Sequence, residues 1–162
     1  MYPPHHYGGY ELLWESAVEH LRGRGHDVEV LTTDTRTSDA TGDSEYVHRE
    51  LRWHLRDAQF EHLGPPAALR QARHNHKVLE RHLRRVQPDV VSWWSMGGLT
   101  LTMLESVRRW GLPAVAFVID DWMDYGRFVD PWLKLQQQLR FALAAKDIRA
   151  AGLGRIHGAD LR

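Results

Sequence analysis

Cysteine is absent from the 162 residues. That removes disulfides, thiolate metal ligands and cysteine nucleophiles together, and it suits a reducing cytosol. Net charge is absent too: 21 acidic and 21 basic side chains cancel. No chain-wide field draws nucleic acid or an anionic membrane, so no nucleic-acid partner is expected and only local patches act. A long apolar run is also missing. The longest uncharged stretch, Val90 to Leu104, is about 15 residues, broken by Gly97-Gly98, and too short to span a bilayer. The start is rich in Pro, His and Gly, without the basic segment and apolar run of a secretory signal. A cytoplasmic protein is the expectation.

The chain does carry 43% apolar residues and seven Trp, enough for one sizeable core. The segment Tyr2 to Glu11 (YPPHHYGGYE) sets two glycines at the mouth of an amphipathic stretch. Tyr10, Leu13, Trp14, Ala17, Val18 and Leu21 share one helical face, and Gly25 suits the C-terminal cap. Asp27 to Thr33 reads as a strand, followed by a polar loop from Asp34 to Glu45. Tyr46 to Leu55 fits either a helix or an edge strand. After Pro65-Pro66, the stripe Ala68, Ala72, His76, Leu79, Leu83 and Val86 predicts a helix up to Pro88.

Asp89 to Trp93 reads as a strand, Gly97 to Trp110 as a helix with Thr100, Met103, Leu104 and Val107 on one face. Pro113 to Ile119 reads as a strand apolar on both faces, which belongs inside a parallel sheet. Asp130-Pro131 opens a last helix, Trp132 to about Lys146. This alternation predicts an α/β fold: a doubly wound, mostly parallel, Rossmann-like sheet over residues 1–149, with 150–162 an irregular tail.

In open α/β sheets ligands gather beyond the carboxyl ends of the strands. Three clusters fall there. Gly8-Gly9 offers free helix-terminal N–H groups to a phosphate, or is simply a tight turn. Trp94 to Gly98 contacts a ligand or accommodates the strand-to-helix bend. Asp120-Asp121 supplies a general base or hydroxyl-binding carboxylates, or else caps the next segment. The eleven histidines do not make a metal site by themselves, because His74 and His76 point about 200° apart on a helix. No metal and no cofactor are expected. Arg49, Arg52, Arg56, Arg70, Arg73, Lys77, Arg81, Arg84 and Arg85 make the middle basic: a solvated helix face, or peripheral contact with an anionic acceptor or membrane.

The run YPPHHYGGYELLWESAVEHLRGRGHDVEVLTTD resembles the start of family 4 glycosyltransferases of the GT-B fold. The carrying residues are Pro3-Pro4, Gly8-Gly9, Glu11 and Gly25-His26-Asp27-Val28; QPDVVSWWSMGGLTL and GLPAVAFVIDDW look like later strands of the same N-terminal domain. The resemblance implies retaining transfer of a sugar from a nucleotide-diphospho-sugar to an acceptor hydroxyl, without a required metal. It implies donor-phosphate binding at Gly8 and Gly9, acceptor binding around Tyr10, Glu11, Ser95, Met96 and Gly97, and a catalytic role for Asp120 and Asp121. Many members carry His-Asp where this chain has Asp120-Asp121.

The family's first strand and its nucleotide-sugar domain are not in the sequence, although Arg155 to Asp160 faintly resembles the linker into that domain. The expectation is therefore an acceptor-side half, at the inner face of the membrane or in the cytoplasm, inactive, marginally stable and self-associating by itself. Two rivals remain: a non-catalytic nucleotide- or partner-binding module, and a regulator-type domain holding Mg²⁺ at Asp120 and Asp121.

Overall fold

Helix α1, Gly9–Gly23, stops where Gly25 takes a φ of +87°. That conformation lets the N–H of Gly25 and of His26 return to the carbonyls of Arg22 and Leu21. The computed structural model describes residues 1–37, 42–56 and 59–138. The chain divides into two units, Met1–Trp53 and His54–Arg162.

In the first unit, β1 (Val30–Thr33) pairs in parallel with β2 (Val47–Leu51). The ambiguous stretch from Tyr46 is thus a strand, with Val47 and Leu51 buried at its two ends. Tyr2, Val18, Val30 and Val47 form the core, and the Trp14 ring meets Tyr2 edge-on at 4.9 Å. The expected apolar face of α1 is only partly covered: Leu13 and Leu21 remain 50% and 42% exposed. A pair of short strands is too narrow to shield a four-turn helix.

The second unit opens with a short hairpin that the pattern did not suggest, β3 (Leu55–Arg56) and β4 (Gln59–Phe60). Helix α2, Pro65–Val86, buries Ala68, Ala72, Leu79 and Leu83 as expected, and adds Gln71, Asn75, Val78 and His82. Its basic side chains Arg70, Arg73, Lys77, Arg81, Arg84 and Arg85 are exposed. Strand β5 (Val91–Trp94) leads to α3 (Thr102–Arg109), and β6 (Ala114–Phe117) then pairs with β5 in parallel. Two short helices follow, α4 (Trp122–Val129), which was not foreseen, and α5 (Pro131–Gln138). The expected continuation of α5 to about Lys146, and the tail from 150, lie outside the described residues.

Three expectations need correction. The strands pair two by two in three separate sheets, so a single doubly wound sheet is not seen among the described residues. The helix expected from Gly97 begins only at Thr102, because Gly98 at φ +75° turns the chain out of helical geometry first. The apolar run of β6 is not buried on both faces: Val115, Phe117, Val118 and Ile119 are 43–52% exposed. Its only strand neighbour among the described residues is β5, and Phe117 stacks on Trp94 with ring centroids 4.2 Å apart.

What binds the helices together is a buried carboxylate. Asp130 is fully buried. Its Oδ2 accepts the Leu101 N–H at 2.6 Å, and its Oδ1 accepts those of Trp132 and Leu133 at 2.7 and 2.9 Å. One residue therefore fixes the entry to α3, the end of α4 and the start of α5, while Ala72, Trp132 and Leu135 seal α2 against α5. Burial pushes the Asp130 carboxyl up to about 6, against the lowering effect of its three N–H donors. Asp130→Ala strands these donors and is expected to lower the unfolding free energy by about 3 kcal/mol or more, measured by urea titration.

His76, half-buried on α2, is a second group whose titration is shifted, its Nε2 2.8 Å from Thr102 Oγ1 and its Nδ1 2.9 Å from Ser106 Oγ. Burial, and then the Arg109 charge, bring its imidazole from 6.5 down to about 4. The unfolded imidazole takes up its proton first. Stability from neutral His76 is therefore complete above pH 6.5 and lost as pH falls towards 4. Asp130 acts oppositely, its contribution fading as pH rises from 3.8 through about 6. The difference between wild type and His76→Gln isolates the histidine. Between pH 7 and pH 4.5 the wild type should lose about 2 kcal/mol more than the variant in urea unfolding.

Candidate functional site

Strands β5 and β6 run in parallel with Trp94 opposite Phe117, so the residues that follow them emerge from the same end of the pair. Ser95 comes directly after β5 with a φ of +25°, at the edge of the left-handed region that a side chain disfavours. This turn aims its hydroxyl at the segment beyond β6, where Ser95 Oγ donates to Asp120 Oδ2 at 3.3 Å. The Tyr125 hydroxyl, from α4, donates to the same oxygen at 3.0 Å. Asp120 Oδ1 is buried and has no hydrogen-bond partner among the described residues. The carboxylate is held by one oxygen, and the other is left to accept.

Gly97 is what admits Tyr125. A Cβ there would overlap the phenol ring, with Cε2 at 2.7 Å and Cζ at 2.9 Å. Its role is thus steric: it lets an aromatic ring cross the backbone to reach Asp120. Met96 is buried at 3% exposure and belongs to the core beneath the turn. Asp121, expected to act with Asp120, diverges from it. It is exposed at the N-cap of α4, its carbonyl accepts the Asp124 and Tyr125 N–H groups, and its side chain makes no capping bond.

The diglycine loop belongs to the first unit. Gly8 caps α1 in an extended conformation, and a Cβ at Gly8 or Gly9 would meet nothing within 4 Å. Neither backbone angle nor crowding inside the unit demands glycine, so the opening is available to an approaching group. Glu11 turns back, its Oε2 accepting the Gly8 N–H at 3.2 Å. That N–H is taken, which leaves the dipole and the later first-turn N–H groups of the helix for an anion. Tyr10 is half-buried in the first turn of the helix.

The structure therefore draws Ser95, Gly97 and Asp120 into one network, adds Tyr125, and leaves Asp121 outside it. Gly8, Gly9, Tyr10 and Glu11 stand together in the other unit. Tyr125 was not legible because helix α4 carried no strong periodic signal. Its spacing of five residues from Asp120 is the one clue available in the sequence.

These features define an α/β chain with polar groups gathered at the carboxyl ends of a parallel strand pair, the end at which ligands collect in open α/β sheets. The family model described as Glycosyltransferase Family 4 matches residues 7–152, and the chain belongs to that family. Comparison with curated proteins and with solved structures gives no match. No helix among the described residues is long and apolar enough to cross a membrane.

Gly97→Ala should force the Tyr125 ring away from Asp120 and cost about 1–3 kcal/mol in thermal or urea unfolding. Combining it with Tyr125→Ala, which vacates the overlapped space, should recover part of that loss.

Proposed function

We propose that the chain is the acceptor-side, Rossmann-like half of a retaining GT-B glycosyltransferase. It moves a sugar from a nucleotide-diphospho-sugar to an acceptor hydroxyl, together with a nucleotide-sugar-binding domain supplied in cis or in trans. Membership of the family supports sugar transfer, and the parallel β5-α3-β6 unit is compatible with this architecture. The observation that carries the reading is the Ser95–Asp120 hydrogen bond, joined by Tyr125, at the ends of two parallel strands.

In this reading Asp120 Oδ1 accepts the hydrogen bond of the incoming hydroxyl. Oδ2 stays clamped by two donors, so the acceptor oxygen is oriented before it attacks the anomeric carbon on the face from which the diphosphate departs, and the hydroxyl proton passes to the departing diphosphate oxygen. Asp121, exposed at the N-cap of α4, contributes negative charge from outside that network. The first turn of α1, entered through Gly8 and Gly9, stabilises charge on the departing diphosphate through oriented backbone dipoles. Within the second unit Ser95, Met96 and Gly97 shape the acceptor side, and within the first Tyr10 and Glu11 keep the acceptor role that the resemblance implies. The exposed basic face of α2 supports contact with an anionic acceptor or with the cytoplasmic membrane surface.

A second reading, a non-catalytic module that binds a nucleotide or a partner protein, is favoured by the exposed apolar side chains of Val115, Phe117, Val118 and Ile119. Titrations followed by tryptophan fluorescence decide between them, with a methyl pyranoside, UDP-glucose and Mg²⁺ as probes. The pyranoside should perturb the emission saturably, and Asp120→Ala should weaken its binding about tenfold, equivalent to about 1.4 kcal/mol. A response to Mg²⁺ without any response to either sugar compound would overturn the transferase reading.

A further inference from the structure

Among the described residues of the first unit, several buried hydrogen-bonding groups lack a partner. Arg49 lies on β2 with its side chain only 2% exposed. Its Nε donates to Asp43 Oδ1 at 2.6 Å and its Nη2 to the Pro3 carbonyl at 2.8 Å, but its buried Nη1 has no acceptor. His5, two residues beyond that carbonyl, is 1% exposed. Its Nδ1 accepts the Thr37 N–H at 3.0 Å, which fixes the proton on Nε2, and Nε2 is buried without an acceptor as well. Thr33 Oγ1, at the carboxyl end of β1, is a third unpartnered buried group.

Burying donors without acceptors is unfavourable, and a protein retains them where something else supplies the acceptor. The charge balance favours an anion over water. Arg36 and Arg49 share the one carboxylate of Asp43, leaving a surplus positive charge beside a neutral imidazole. The Arg49 charge acts on His5, holding its imidazole below the ordinary value after burial does the greater part. Pro4 and His6 on either side are exposed, so the chain reaches solvent immediately before and after His5.

We propose that the first unit binds a phosphate group, free or esterified, between Arg49 and His5. Arg49 contributes Nη1–H and a full charge, and His5 contributes Nε2–H, a donor pair suited to a tetrahedral oxyanion. The site involves neither the diglycine loop nor Asp120, and it stands independently of the sugar-transfer reading.

The full chain is titrated with inorganic phosphate, and with chloride at matched ionic strength, following thermal unfolding and the ³¹P line width. Phosphate should raise the melting temperature saturably by several degrees and broaden its own resonance, and chloride should do neither. Arg49→Lys and His5→Gln, which keep the charge and the Thr37 acceptor respectively, should lose the response. A lower midpoint for glucose 1-phosphate assigns the esterified form, whereas a response confined to inorganic phosphate assigns the free ion. Equal effects of phosphate and chloride, or variants that respond like wild type, would overturn the proposal and leave water as the acceptor. Absence of ³¹P broadening with the wild type overturns the proposal even if a variant fails to fold, and either variant that does fold assigns observed broadening to this site or to the first turn of α1. Neither readout involves a sugar hydroxyl, so loss of this site and loss of the transferase reading are separable results.

Discussion

The second unit depends on the carboxylate of Asp130. Three helices meet around it, and each brings N–H or C=O groups that its own hydrogen bonding leaves unsatisfied. By accepting from Leu101, Trp132 and Leu133, Asp130 turns three helix ends into one joint, its longest hydrogen bond spanning 29 residues of the chain. The cost is a fully buried carboxyl whose ionisation is opposed by its surroundings. The same joint fixes where α4 ends, and α4 carries Tyr125.

From that frame the candidate site follows by steric and then electrostatic steps. Gly126 faces Leu101, where a Cβ would come within 3.3 Å of Cδ1, so α4 can lie close to the turn that precedes α3. Gly97 then clears the path of the Tyr125 ring, and Tyr125 and Ser95 converge on one oxygen of Asp120. The two glycines act through the side chains they lack. The positive φ of Ser95 is a local cost tolerated because it directs the hydroxyl across the strand ends. In the first unit polar groups are arranged differently, with arginines in excess over the carboxylate they share and buried donors left open.

Much of the element order was readable because period and punctuation agree. Helix α2 announces itself by Pro65-Pro66 and a stripe from Ala68 to Leu83, and α1 by its apolar recurrence and by Gly25. The parallel pairing of β5 and β6 follows from two apolar runs separated by a helix. The short hairpin and α4 escaped notice because elements of two to eight residues carry too few periods for a pattern to stand out. The burial of β6 was misjudged for another reason. Apolar composition records what a strand is suited to pack against and says nothing about whether neighbours are there.

The sequence alone determined the residue types at the strand ends, the family, the end of α1 marked by Gly25 and the start of α2 marked by Pro65, and the absence of thiol chemistry. Those depend on local rules of backbone freedom and on spacing along the chain. Only the tertiary structure decided that Asp120 and Asp121, adjacent in sequence, would part, that Tyr125 would join Ser95, that Asp130 would become a joint, and that Arg49 and His5 would be buried with donors unspent. Hydrogen bonds between residues 25 or more positions apart depend on how packed elements aim their side chains, and that direction is not written in any local run of residues.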